Sequence, residues 1–243
     1  MNIQQISETL NGLALPQRLA KIRELAQGRI TFSTSFGLED QLITHHIATQ
    51  KLAVDIFTLD TGRLFQEVHD LWQATEDKYG ISINGFYPDP SAIAKWVKTQ
   101  GTNGFYQSVE ARKACCNIRK VEPLNRALEG ASGWISGLRA DQSQAREGVP
   151  IAEFDESRNL IKFNPLFDKN RDEILAEIKS LKVPINPLHD QGFLSIGCAP
   201  CTRAVANGET ERAGRWWWEA EAGAQKECGL HVNEQGQLVR NKN

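Results

Sequence analysis

Five cysteines lie in this chain of 243 residues. Cys115 and Cys116 are neighbours in RKACCNIRK, Cys198 and Cys201 form the CxxC of GCAPCTR, and Cys228 stands alone in KECGLH. Four thiolates can close a tetrahedral or cubane metal site, which leaves a fifth thiol to react. A CxxC is half of such a site, and its other half is usually a second CxxC. Adjacent cysteines are a less common partner, because consecutive side chains diverge. A 4Fe–4S cube has its corners spread apart, so it takes such a pair more easily than one tetrahedral zinc ion does. The competing reading is that Cys115 and Cys116 are small buried residues and nothing more. Arg112, Lys113, Arg119 and Lys120 flank the pair and Arg203 follows the CxxC. These cations would offset the negative charge of a thiolate-bound cluster, or else form a solvated basic face. Cys228 has Gly223 and Gly229 on either side, Lys226 to favour a thiolate, Glu227 to oppose it and His231 nearby.

A second group of residues could hold an anion. In FSTSFGLED a strand hands over to a helix. Ser33, Thr34 and Ser35 offer hydroxyls there, Gly37 permits close backbone approach, and the helix start presents free N–H groups. The segment lacks the Gly-x-x-x-x-Gly-Lys pattern of a Walker loop, and alone it is equally a capped helix start. LDTGRL puts Thr61 and Gly62 at the expected carboxyl edge of the sheet, where open α/β sheets bind ligands. Arg139 and Arg146 follow another strand in GLRADQSQAR, and Arg212 and Arg215 stand in ERAGR. Together these four guanidinium groups suit a polyanionic small molecule; any one alone reads as surface charge.

The elements that must carry these residues follow from periodicity. Ile3, Ile6 and Leu10 recur at helical spacing, and Pro16 can open a second helix. RITFSTSF, AVDIFTLD, ISINGFYP and GWISGL read as strands, with helices over GLEDQLITHHIATQ, FQEVHDLWQATEDKYG and SAIAKWVKTQG between them. That alternation predicts an α/β fold with a mostly parallel central sheet flanked by helices. RKACCNIRKVEPLNRAL reads as two helices meeting at Pro123, FDESRNLIKFNPLF as a hairpin, and RDEILAEIKSL as a helix. Beyond Pro184 only Trp216, Trp217 and Trp218 are strongly apolar. Those three cannot share one face, which predicts core and interface packing, with a docking surface for a redox partner as the sharper alternative. The expected organisation is a helical segment over 1–28, one domain over 29–220, and a mobile tail over 221–243.

The net charge of −2 gives no signal for nucleic acid, and no apolar run is long enough to span a membrane. The N-terminus lacks the pattern of a secretory signal. A cytoplasmic, reducing location is therefore expected, where cysteines bind metal or react more often than they pair.

Taken together, CCxIRKxEPLxRAL, CxPCTR, RWWWE and KECGLH resemble the assimilatory adenylyl-sulfate reductases, the iron–sulfur branch of the phosphoadenylyl-sulfate reductase family. SFGLED and LDTGRL are similar to that family's nucleotide loops. The resemblance implies an adenine nucleotide alpha-hydrolase-like fold and one 4Fe–4S cluster per subunit, held by Cys115, Cys116, Cys198 and Cys201. It implies Cys228 as the nucleophile. By the same resemblance Ser33, Ser35, Leu59, Thr61 and Gly137 line an adenosine pocket, and Lys120, Arg146, Arg212, Arg215 and His231 contact or enclose the phosphosulfate. The related ATP-cleaving enzymes carry two consecutive glycines where this chain has SFG, a departure that argues against ATP. The implied reaction is thiol-dependent reduction of adenylyl sulfate to sulfite and AMP, with thioredoxin or glutaredoxin as reductant and a homo-oligomer as an open possibility. Three alternatives remain: the same reaction on 3′-phosphoadenylyl sulfate, a zinc-stapled ATP-using sulfurtransferase, and a non-enzymatic binding module.

Overall fold

The protein is described by a computed structural model that covers residues 2–219 and Leu230. Two helices come first, α1 (Ile3–Leu10) and α2 (Leu15–Leu25). Asn2 starts α1 with a capping box, its side chain accepting from the Gln5 N–H while the Gln5 side chain accepts from the Asn2 N–H. Pro16 sits in the first turn of α2, where its missing N–H costs nothing. Ile6, Leu10, Leu15, Leu19 and Ile22 enter the same apolar core as Ile30, Phe32 and Leu42, so this helical segment packs as one body with the rest of the domain. Arg18 fastens it there: its guanidinium donates to both Asp168 oxygens at 2.8 and 2.9 Å.

The strands alternate with helices: β1 (Arg29–Thr34), α3 (Leu38–Thr49), β2 (Asp55–Leu59), α4 (Gln66–Tyr79), β3 (Asn84–Phe86) and α5 (Pro90–Gln100). Next come α6 (Val109–Cys116), α7 (Glu122–Leu128), β4 (Ala131–Ile135), β5 (Ala152–Asp155), β6 (Leu160–Phe163) and α8 (Arg171–Leu181). Among the described residues the sheet has six strands in the order β3-β2-β1-β4-β6-β5. All pairs are parallel except the β5–β6 hairpin. The expected α/β architecture, with its hairpin excursion, is therefore present. The strand order reverses across β1 and β4, which opens a crevice at their carboxyl ends. α3 is buried over most of its length, with Glu39, Asp40, Gln41, Thr44 and His46 buried beside its apolar residues. It starts at that crevice.

Two readings shift. The helices around the cysteine pair meet over a π-helical turn, Asn117–Val121, and not at Pro123. Glu122 N–H donates to Asn117 O, five residues back, and Pro123 then falls in the first turn of α7, where no N–H is needed. The third strand is shorter than ISINGFYP, with only Asn84–Phe86 paired. After α8 the chain has only short 3-10 turns, Pro187–Gln191 and Ala199–Cys201, among the described residues. No helix among the described residues is long and apolar enough to cross a membrane.

Candidate active site

One pocket occupies the crevice at the carboxyl edge of the sheet. Its wall includes Ser33 and Ser35 after β1, Leu59 and Thr61 after β2, and Gly137 after β4. Lys120 from the π turn, Arg146, Arg212 and Arg215 complete the set. All nine expected substrate contacts that fall within the described residues thus line one cavity. Cys228 and His231 lie outside the described residues. Leu230, between them in sequence, lines the pocket and packs with the cluster of Leu124 and Trp134.

The anion loop is built tightly. Phe36 adopts a left-handed φ of 59°, unusual for a non-glycine residue and characteristic of functional loops. Its N–H donates to Thr34 Oγ1 at 3.0 Å. Asp40 Oδ2 accepts from Ser35 N–H at 2.6 Å and from Ser35 Oγ at 2.7 Å, which fixes the serine at the start of α3. Gly37 caps α3 without a side-chain acceptor, so the first N–H groups of this twelve-residue helix remain for a ligand. Burial pushes the Asp40 carboxyl up to about 7, and its two bonds from Ser35 only partly counter this. Trp134 Nε1–H donates to Ser33 Oγ at 2.9 Å and orients the other loop serine.

Two glycines of the pocket wall sit in close quarters. A Cβ on Gly137 would stand 2.2 Å from Asp40 Oδ1, and one on Gly197 would stand 2.2 Å from Arg215 Nη2. The first lets the chain after β4 pass against α3, and the second makes room for the Arg215 guanidinium.

Of the four arginines grouped in sequence as suiting a polyanion, one lies elsewhere. Arg139 is fully buried, does not line the pocket, and is consumed by three carboxylates, Glu39, Asp141 and Glu211. Asp40, Gln142, Trp134, Ser136, Gly197 and Glu211, which the sequence did not single out, do line it. Trp134 and Glu211 bond to partners 101 and 72 residues away, which no local pattern shows, whereas Asp40 and Gln142 bond within five residues.

A second, smaller cavity adjoins the first. It is lined by Cys115, Cys116, Cys198 and Cys201, with Arg119 and Lys120. Lys120 therefore borders both cavities. The four thiols are buried and form no disulfide. Thr61 Oγ1 lies 3.3 Å from Cys198 Sγ, and Arg119 Nη1 donates to Thr61 O at 2.6 Å, so the sheet edge and the cysteine cavity are bonded together. Burial pushes the Cys201 thiol up to about 12, with Cys198 adding to the effect. Burial also raises Cys115, while the neighbouring Arg119 guanidinium opposes it. Of the flanking cations, Arg112 also lines the cavity, but Glu219 holds it through two bonds at 2.8 and 3.0 Å. Arg203 pairs with Glu209, and Lys113 is exposed; neither lines the cavity.

Whether this cavity suits an anionic cluster can be tested on its surroundings. Among the described residues no group of three or more His, Cys, Asp or Glu is gathered as for a single metal ion. The cysteines surround a space instead. Arg119 Nε, Trp96 Nε1, Trp216 Nε1 and Trp218 Nε1 are buried donors without an acceptor. Trp96 and Trp216 pack with Cys115, Cys198 and Cys201, and Trp218 lies against them. Of these donors only Arg119 lines the cavity itself, and this cation beside four buried thiols fits a negatively charged group. The three tryptophans divide as expected. Trp216 is core, held between Arg112 and Arg215 at 4.6 and 4.7 Å, whereas Trp217 is 39% exposed.

The fold and the sheet-edge pocket define an α/β domain of the adenine nucleotide alpha-hydrolase type. Residues 29–204 match the phosphoadenosine phosphosulfate reductase domain, and the chain belongs to that family. A protein of Agrobacterium fabrum named adenosine 5′-phosphosulfate reductase is 52% identical over 227 residues, 93% of this chain and 86% of the relative. The crystal structure of phosphoadenylyl-sulfate reductase from Candida auris, a phosphate complex, superposes with a TM-score of 0.71 at 27% identity, covering 84% of this chain and 96% of that one. An FMN adenylyltransferase of Candida glabrata, 15% identical with a TM-score of 0.53 over 98% of this chain and 79% of its own, shares the fold alone.

Proposed function

We propose that this protein reduces adenosine 5′-phosphosulfate to sulfite and AMP with electrons from a thiol, as a step of assimilatory sulfate reduction. The observation that carries this reading is the convergence of nine expected contact residues on one sheet-edge pocket, which shares Lys120 with a cavity lined by four cysteines. The name borne by the Agrobacterium relative at 52% identity supports adenosine 5′-phosphosulfate as substrate.

In this reading Ser33, Ser35, Leu59, Thr61 and Gly137 seat the nucleoside. Lys120, Arg146, Arg212, Arg215 and His231 neutralise the phosphosulfate and the charge that moves onto the AMP phosphate as it leaves. The Cys228 thiolate attacks the sulfur. The S–O bond to the phosphate breaks and an S-sulfocysteine forms. Leu230, two residues on, lines the pocket, which supports delivery of this segment to the substrate. A thiolate of thioredoxin or glutaredoxin then attacks the Cys228 sulfur. Sulfite leaves with the S–S bonding pair, and the reductant's second thiol resolves the mixed disulfide, so two electrons come from the dithiol. Cys115, Cys116, Cys198 and Cys201 would hold a 4Fe–4S cluster. When bound, it supplies electrostatic and structural support beside Lys120. The free, buried state of these four thiols supports a reducing, cytoplasmic setting.

The test is to assay sulfite and AMP from adenosine 5′-phosphosulfate and its 3′-phosphorylated form side by side, with thioredoxin. Preferred turnover of the unphosphorylated nucleotide supports the reading. Preference for the other nucleotide, or no sulfite from either, overturns it.

A further inference from the structure

At the pocket wall lies an ion-pair cluster centred on the buried Arg139, with Glu39 and Glu211 lining the pocket, that the proposed chemistry leaves unused. Arg139 Nε donates to Glu39 Oε1 at 2.6 Å, and Nη2 donates to the two Glu211 oxygens at 3.1 and 2.8 Å. Nη1 donates to Asp141. Arg171 stands 3.6 Å from Glu211 on its other side. Each of the three carboxylates precedes a residue of the pocket wall: Glu39 precedes Asp40, Asp141 precedes Gln142, and Glu211 precedes Arg212. Gln142 Oε1 accepts from the Arg139 N–H at 3.3 Å and also from the Arg146 guanidinium. One guanidinium thus ties together three segments that carry the polar groups of the pocket.

The segment bearing Arg212 and Arg215 has no helix or strand to place it. Within it Arg215 N–H donates to Arg212 O at 3.0 Å, and Arg203 N–H donates to Gly214 O at 3.0 Å. Those bonds set the shape of the turn and its attachment to the cysteine loop. The Glu211–Arg139–Glu39 chain links it directly to the start of α3. We propose that Arg139 is a positioning residue: it sets Arg212, Arg215 and Arg146 against the anion loop, so that they converge on the acidic part of the ligand. This rests on the reading of the pocket as a nucleotide site.

The chemistry requires arginine. A planar fork can serve one carboxylate with Nε and another with Nη2 at once, which an ammonium cannot do in fixed geometry. Charge adds a second effect. Without Arg139, Glu211 would be left beside Arg212 as a competing internal anion.

Titration of AMP into the cluster-loaded, full-length protein tests the inference, with Glu211→Gln, Arg212→Ala and the double variant compared. Glu211→Gln keeps the shape and removes the charge of one arm. We expect AMP affinity to fall on the order of tenfold to a hundredfold, the cost of misplacing a binding group by about an ångström. In the Arg212→Ala background the same change should have a much smaller effect, because it acts through that arginine. Unchanged affinity in the single variant, or equal losses in both backgrounds, would overturn the inference. Should Glu211→Gln fail to fold, Asp141→Asn on the exposed arm carries the test: weaker AMP binding supports it and unchanged binding overturns it. If the unaltered protein does not bind AMP, the pocket reading itself fails, and the inference with it.

Discussion

The sheet-edge pocket and the cysteine cavity share Lys120 but are built by opposite means. The pocket hangs on regular strands, and its anion loop is bonded from within, while Arg215 Nε, His189 Nε2 and Trp216 Nε1 on its wall are buried without a partner. Ser35 donates to Asp40, and Trp134 donates to Ser33. The cavity is assembled from the end of α6, a π turn and a 3-10 turn. On its wall stand Arg119, whose Nε is buried without an acceptor, and the Cys115 and Cys201 thiols, whose pKa values burial has raised. Preformed polar contacts suit a ligand that comes and goes. Four buried thiols on one cavity wall suit a group that stays and contributes to folding.

Changes in one region should therefore be separable from changes in the other. The largest effect is expected from Cys201→Ala, which should lose iron and lower the melting temperature, since metal binding and folding are linked. A full iron complement by elemental assay would remove Cys201 from the ligand set. Next comes Arg212→Ala. It should raise KM for the nucleotide about tenfold to a hundredfold, the ~1.5–3 kcal/mol of a hydrogen bond to a charged group, with iron unchanged. Normal steady-state kinetics would return Arg212 to the status of a surface charge. Gly137→Ala should weaken AMP binding by displacing the start of α3, because its Cβ would meet Asp40 Oδ1 at 2.2 Å. Iron loss without a change in AMP affinity would show that the two regions are not separable in this way.

A last effect concerns the pH dependence of stability alone. Burial lifts the Asp40 carboxyl from 3.8 to about 7; Glu39 adds to the rise, and Ser35 and Arg146 oppose it. Between those values the folded protein retains a proton that the unfolded chain has released, so stability falls as pH rises through that window. Asp40→Asn, neutral throughout, should flatten that slope in denaturant melts. An unaltered slope would show that Asp40 titrates normally.

Much of the fold was legible because apolar strands and amphipathic helices carry local periods. RITFST reads as a strand and lies in the sheet centre, and Pro16 marks the start of its helix. The cysteines were legible by type and spacing. Arg139 was not, because nothing local distinguishes a guanidinium bound for a ligand from one bound for carboxylates 100 and 72 residues away. Asp40 was half legible: its bond from Ser35 is local, but its close approach to Gly137 is not. Pro123 drew the helix boundary to itself, while the i to i−5 bond of Glu122 had already absorbed the irregularity one turn earlier. The segment after Pro184 has no period to read, since long-range side-chain pairs hold it in place.

The division of labour among the cysteines is tested most directly by one comparison. Cys228→Ser and the unaltered protein are purified without oxygen and measured together for iron, sulfide and sulfite release from adenosine 5′-phosphosulfate. The account predicts equal, full iron and sulfide in both, and sulfite from the unaltered protein alone. Sulfite at an undiminished rate from Cys228→Ser, or iron-free protein in both preparations, would contradict it.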